Sequence, residues 1–502
     1  MIASIFLSAF FLLFQVPNGS AGQTAVTRPV QTAQTDETPM VQKHSVTVGG
    51  KTLNYTTTTG YMPIKNSFSG ETEARIFFIA YTLDNSPAGR PLMFSFNGGP
   101  GSASVWLHLG ALGPKRVKMN DDGTMPPPPY QLVDNDQTWL TETDMVFIDP
   151  VGTGYSRAAK PELASKFFGL QGDLDSVAEF IRMYLGRYER WHSPLFLVGE
   201  SYGTTRASGL SDTLFNKGIA LNGICLISTV MNFQTLLFAD GNNLPYQLIF
   251  PSYTATAWYH KKLPSDLQKK SLREVLKESE NFVTNELTVG MTKGDRMSES
   301  ERQNLLEKFS RYTGLSKTFI SNNKFKVELG RFNKELLRDQ QKTTGRLDSR
   351  FTGIDKDVAN DSTENDPSMS AIRPPYTAGF NDYVRKELGF RTDLEYYILG
   401  GGITSPWNFG QGNSFANTSV PLQAAMQKNP FMKIFVGQGF YDMATPYFAA
   451  EYTFANMNLD SELRKNITFE YYEAGHMMYI EKNSLKKLKD DVTKFIGNSL
   501  KN

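Results

Sequence analysis

Leu195-Phe196-Leu197-Val198-Gly199-Glu200-Ser201-Tyr202-Gly203 decides the fold of this chain. Four apolar residues read as a buried strand, and the glycines flanking Glu200-Ser201-Tyr202 let the backbone turn sharply from that strand into a helix. In a G-x-S-x-G turn of this kind the serine hydroxyl stands exposed at the tip. The pattern arises by chance in long chains, so its companions carry the weight. Asn97-Gly98-Gly99-Pro100-Gly101-Ser102 follows an earlier apolar strand. Asp442 follows a late one, in Val436-Gly437-Gln438-Gly439-Phe440-Tyr441-Asp442. Gly475-His476-Met477 follows the last strand, residues 467–472.

Ser, Asp, His is the chain order of the α/β-hydrolase fold. Short apolar runs recur at 92–96, 145–148, 195–198, 224–227 and 434–436, as buried parallel strands do. Leu174, Val177, Ala178, Ile181 and Leu185 share one helical face just before the nucleophile strand. Residues 44–59 and 75–82 alternate in part and predict antiparallel strands leading into the sheet. The expected fold is therefore α/β, a mostly parallel sheet flanked by helices. Between about 232 and 418 the pattern changes to charged, amphipathic helices, with Ser265-Asp266-Leu267-Gln268 and Ser298-Glu299-Ser300-Glu301 as candidate capping boxes. Residues 345–373 are polar and turn-rich and predict a long loop. The expected division is a signal peptide at 1–21, a lead-in at 22–40, core at 41–232, a helical cap insertion at 233–418 and core again at 419–502. A separate domain is the alternative for the middle region. Asp442 and His476 favour an insertion, because they are needed to complete the Ser201 site.

A serine hydroxyl is a poor nucleophile without a base. His476, in a Gly-His turn after a strand, is the candidate; His44, His108, His192 and His260 lack that context. Asp442 is the candidate to hold the imidazole tautomer and stabilise the imidazolium. No Lys-Ser or Lys-Thr follows the loop at 97–102, which excludes a P-loop. Five scattered histidines make no metal-ligand cluster, and acyl-enzyme chemistry at Ser201 would need neither metal nor cofactor.

The motifs NGGPGS, Asp149-Pro150-Val151-Gly152-Thr153-Gly154-Tyr155-Ser156 and GESYG, in this order and followed by Asp442 and His476, resemble those of the serine carboxypeptidase family. The resemblance runs over roughly 41–497 and is weakest between about 234 and 374. It implies an oxyanion hole from the backbone N–H groups of Gly99 and Tyr202. It also implies that Asn97, Gly98 and Glu200 bind a substrate's terminal carboxylate, which a protonated Glu200 can do by donating a hydrogen bond. Two positions depart from the family pattern. Ser95 stands where many members have Trp, and Ala111 where many have a second Glu. Arg206 reads either as a buried helix charge or as a perturber of Glu200.

The expected activity is that of a bacterial-type, exported serine carboxypeptidase acting on peptides. An esterase or acyltransferase on the same fold, or a non-catalytic peptide-binding protein, are the alternatives. The 502 residues carry a formal net charge of +1, which gives no reason to expect a nucleic acid partner. Residues 2–16 are almost wholly apolar and Gly19-Ser20-Ala21 offers a cleavage site, as in a secretory signal peptide; a signal anchor is the alternative. The expected location is periplasmic or secreted, with no stable membrane association after cleavage. Cys225 is the one cysteine, so no disulfide forms within the chain, and its apolar surroundings predict a buried structural thiol.

Overall fold

The computed structural model describes residues 38–410, 412 and 414–501. The signal-peptide reading of 1–21 and nearly all of the lead-in lie outside them. Met40, placed in the lead-in, already opens a strand.

Three long strands start the sheet: β1 (Met40–Val48), β2 (Lys51–Lys65) and β3 (Thr72–Leu83). Gly49 and Gly50, with φ of 55° and 77°, form the two-residue turn between β1 and β2, where both central residues need positive φ. The apolar runs become β4 (Leu92–Phe96), β5 (Asp144–Ile148), β6 (Leu195–Ser201), β7 (Gly223–Thr229) and β8 (Lys433–Gly439), followed by β9 (Ile467–Tyr472). The strand order is β1-β2-β3-β5-β4-β6-β7-β8-β9, with the short strand Arg157–Ala158 also paired to β3. Pairing is antiparallel up to β3–β5 and parallel from β5 to β9. Every residue of β4, β5 and β7 is buried, which is why these strands are continuously apolar rather than alternating.

Side chains of β6 alternate between two apolar clusters, Phe196 and Val198 in one and Leu195 and Leu197 in the other. On the second face lie α1 (Leu170–Arg187) and α2 (Tyr202–Asn216); the predicted stripe of Leu174, Val177, Ala178, Ile181 and Leu185 is buried there. On the first lie α3 (Pro367–Lys386), through Ile372, Tyr376 and Phe380, and α4 (Lys482–Ser499), through Leu485, Leu488, Val492 and Phe495. Cys225 on β7 is fully buried, and burial pushes its thiol pKa up.

Between β7 and β8 the chain is mostly helical and has its own apolar cluster, which includes Phe250, Tyr253, Val275, Phe282 and Phe309. Met443, the residue after Asp442, belongs to that cluster, so the insertion is anchored beside the site. Ser298 and Glu301 form the predicted capping box on Glu299–Thr313. The box expected at Ser265 does not form: Pro264 caps a helix of only four residues there. Ser271 and Glu274 form one instead, opening Leu272–Phe282. The reason is periodicity, since Leu272, Val275, Leu276, Ser279 and Phe282 bury one face and keep that helix going. The loop expected over 345–373 also ends early. Asp366 caps α3 by accepting from Ser368 N, and Pro374 and Pro375 lie inside that helix.

Candidate active site

β6 ends at Ser201 and α2 begins at Tyr202. Ser201 sits at φ 60°, ψ −132°, a conformation that costs a non-glycine residue about 1–3 kcal/mol and persists only where its surroundings enforce it. The two glycines enforce it. A Cβ on Gly199 would stand 2.1 Å from the Gly203 carbonyl oxygen, and one on Gly203 would stand 2.8 Å from the Phe96 oxygen. Ser201 is left partly exposed, in a pocket of about 140 Å³ shared with Asn97, Gly98, Gly99, Glu200 and His476.

The structure brings the three residues picked from chain order into one arrangement. His476 Nδ1 lies 2.7 Å from Asp442 Oδ2. An ionised carboxylate only accepts, so the imidazole carries its proton on Nδ1 and leaves Nε2 free to accept one. Burial works to lower the His476 pKa, but the Asp442 charge and hydrogen bond outweigh it, and the net shift is upward. Asp442 is fully buried. Its Oδ1 accepts from Ala444 N and Thr445 N at 2.7 and 3.0 Å, and its Oδ2 also accepts from the Thr445 hydroxyl at 2.7 Å. It is thus both a turn residue and the partner of His476. The histidine loop is held from outside as well. Ser228 Oγ donates to the His476 carbonyl, and His476 N donates to Leu347 O, both at 2.6 Å; Gly475 N donates to Asp348 at 3.0 Å.

Gly98 packs so closely on the elbow that an added Cβ would lie 2.4 Å from Tyr202 N. The loop that carries Gly98 and Gly99 therefore lies against Tyr202 at the start of α2. Tyr202 is the first residue of α2, so its N–H has no partner within the helix and stands at the positive end of the helix dipole. Two such donors suit an oxyanion. Arg206 clamps the same loop. It is 1% exposed, with Nε 3.0 and 2.8 Å from the Asp173 oxygens and Nη1 donating to Asn97 O at 2.6 Å. The buried-charge reading of Arg206 is the one the geometry supports. The Asp149 motif braces the loop further on, where Asp149 Oδ1 accepts from Ser104 N and Oγ, both at 2.8 Å.

Glu200 is 3% exposed, lines the same pocket as Ser201 and is hydrogen-bonded by Asn97 and Tyr479. Asn97 Nδ2 donates to Oε1 at 3.1 Å, with the amide orientation set by Leu107 N donating to Oδ1 at 3.1 Å. The Tyr479 hydroxyl donates to Oε2. Burial pushes the Glu200 pKa up to about 7, against the opposing pull of His476 and of the hydrogen bond from Tyr479.

The family model for serine carboxypeptidase matches residues 48–489. This chain belongs to the serine carboxypeptidase family. Among individual relatives, it is 30% identical to serine carboxypeptidase-like 3 of Arabidopsis thaliana over 147 residues, 29% of this chain and 31% of that protein. It is 25% identical over 203 residues to serine carboxypeptidase S10 family member 1 of Dictyostelium discoideum, 40% of this chain and 44% of that one. The matched segments thus span less than half of these curated relatives. The fold is similar to that of Kex1(delta)p, a prohormone-processing carboxypeptidase from Saccharomyces cerevisiae, with a TM-score of 0.52 at 17% identity over 88% of this chain and 91% of that one.

The two departures from the serine carboxypeptidase pattern have distinct settings. Ser95 is fully buried on β4. Ala111 is buried in a short helical turn and brings no carboxyl to Glu200; Tyr479 supplies the second donor instead. Tyr479 and Thr445 were not picked out from the sequence. Each lies three residues past a residue that was, at His476 and Asp442, and that spacing is the only local signal for either.

Proposed function

We propose that this member of the serine carboxypeptidase family is an exported enzyme that releases C-terminal amino acids from peptides through an acyl-enzyme. The observation that carries this reading is Glu200, a buried carboxyl beside the nucleophile whose pKa lies at about 7. Below that pH it holds a proton and can donate a hydrogen bond to a terminal carboxylate, together with Asn97 and the Gly98 backbone. Ser201 Oγ attacks the last peptide carbonyl while its proton passes to His476 Nε2. The oxyanion is held by the Gly99 and Tyr202 amides. The C–N bond then breaks as His476 returns the proton to the leaving amine, and water, with His476 again as base, frees Ser201. Export rests on the apolar run at 2–16 and its cleavage site. No helix among the described residues is long and apolar enough to cross a membrane.

The test compares free and amidated peptides across pH. The Glu200 pKa is raised, so its useful, protonated form is present below about 7 and is lost as pH rises through that value. KM for a free-acid peptide should therefore rise above pH 7, while an amidated peptide should be poor at every pH. Glu200→Gln should flatten the alkaline rise, because an amide donates at any pH. Tyr479→Phe should move the rise to higher pH, because the Tyr479 hydrogen bond favours the charged form. Equal rates on free and amidated peptides would favour an esterase or acyltransferase. Binding without turnover would favour a non-catalytic peptide binder.

Arg346 sets a second expectation. It lines the same pocket as the apolar Trp106, Met369 and Ile372, and its guanidinium has no ion pair or hydrogen bond among the described residues. A substrate side chain bearing a carboxylate is its complement. A peptide with Glu near the scissile bond should be turned over about tenfold better than its Gln isostere, the worth of a charged hydrogen bond. Arg346→Gln should abolish that preference and leave neutral peptides unchanged; an undiminished Glu preference in the variant rules Arg346 out.

A further inference from the structure

In a peptide's last residue the terminal carboxylate and the side chain branch from one Cα. Whatever stands beside Asn97, Gly98 and Glu200 therefore meets the side chain of the residue to be released. Leu107 N donates to Asn97 Oδ1 at 3.1 Å, which places Trp106 next to these donors. Trp106 is 4% exposed and lines the Ser201 pocket. Its indole is fixed twice: Nε1 donates to Ser102 Oγ at 2.8 Å, and the Tyr376 ring packs on it with centroids 5.1 Å apart.

Two aliphatic residues continue this wall. Leu399 pairs with Ser102 in an antiparallel bridge, and Arg373 Nη2 donates to the Leu399 carbonyl at 3.3 Å, which ties that segment to α3 beside Ile372. Ile372 and the half-buried Leu399 line the pocket together with Trp106. The polar atoms of the wall are engaged. Trp106 Nε1 is committed to Ser102, and the Ser102 hydroxyl donates to Ala103 O at 3.3 Å. Arg346 enters the pocket from another loop, anchored next to Asp442 by Met443 N donating to its carbonyl at 3.1 Å. A charged side chain seated against Trp106, Ile372 and Leu399 would lose its water and gain no partner, whereas each buried methylene would gain.

We propose that Trp106, Ile372 and Leu399 seat the side chain of the released residue and select peptides that end in an apolar residue such as Leu or Met. This rests on the peptidase reading above, which puts the terminal carboxylate on Asn97, Gly98 and Glu200. It assigns the two ends of the pocket different tasks: the apolar wall reads the residue that leaves, and Arg346 reads the residue that stays on Ser201.

A set of free-acid peptides that differ only in the last residue (Leu, Met, Ala, Lys, Glu) tests this through kcat/KM for release. Wild type should favour Leu over Ala by about tenfold or more, and Leu over Lys or Glu by about a hundredfold. Leu399→Glu should move the Leu-to-Lys ratio toward Lys by about tenfold or more, because the new carboxylate gives the ammonium a partner. Trp106→Ala should shrink the Leu-to-Ala ratio to a few-fold; should that variant fail to fold, Leu399→Ala makes the same comparison at a half-buried side chain. A change that only loosened the fold would slow every peptide alike, so the ratios are the readout. No release from any peptide overturns the peptidase reading and this inference with it. Release of all five within about threefold of one another, release of Lys or Glu ahead of Leu by wild type, or ratios unchanged in the variants overturns this inference alone.

Discussion

Ser201→Ala should lower peptide turnover by about a million-fold, close to 8 kcal/mol of transition-state stabilisation, with KM little changed. The size of the loss follows from the way the parts work as a unit. His476 then has no serine hydroxyl at the elbow to activate, and the Gly99 and Tyr202 amides stabilise only an oxyanion that a nucleophile has created. What remains is the small acceleration that an oxyanion hole and substrate binding give to attack by water. The same variant should fold at least as well as wild type, because alanine at φ 60° keeps the strain but loses no buried hydrogen bond: the Ser201 hydroxyl makes none among the described residues. An organophosphorus serine-hydrolase reagent should label wild type at Ser201 alone and leave the variant unlabelled. Retained labelling or retained turnover in Ser201→Ala would place the nucleophile elsewhere.

Asp442→Asn should cost about ten-thousand-fold in kcat. The carboxylate accepts four hydrogen bonds, from Ala444 N, Thr445 N, Thr445 Oγ1 and His476 Nδ1. An amide has one acceptor oxygen and an NH2 group, and the backbone amides at Ala444 and Thr445 claim the oxygen. The NH2 then faces His476 and forces the proton from Nδ1 to Nε2, where it blocks acceptance of the serine proton. The tautomer is wrong although every atom is in place. The pH profile should register the change too. Asp442 is the main influence holding the His476 pKa up against burial, so the His476 pKa should fall in the variant. The acid limb of kcat, which reports protonation of His476, should therefore move to lower pH. Turnover within tenfold of wild type, or an acid limb that stays in place, would remove Asp442 from this role.

The nucleophile elbow, the sheet and both glycine-rich motifs were legible in the sequence because each is encoded within a few residues. Gly199 and Gly203 are required by contacts that the turn makes with itself and with the strand beside it. The continuous apolar runs of β4, β5 and β7 mark burial on both faces without reference to anything distant. Capping was only half legible. Ser265 and Ser271 carry equivalent local signals, and the winner is the one followed by a helix whose apolar face the insertion's core can bury.

Chain order could nominate His476 and Asp442 but could not bring them together; that takes the parallel pairing of β8 with β9, which carries both loops to the same end of the sheet. Tyr479 lies 279 residues from Glu200 and Arg206 lies 109 from Asn97, and no local pattern announces either contact. The polar segment at 345–350 looked like plain loop, yet Leu347 and Asp348 hold the histidine loop and Arg346 faces the pocket. The sequence alone determined which residues can do acyl-transfer chemistry, because that rests on side-chain identity and on short-range backbone geometry. The tertiary structure decided how their protonation is set, because a pKa depends on burial and on charges that only packing brings near. It therefore decided that Tyr479, and no second glutamate, stands beside Glu200.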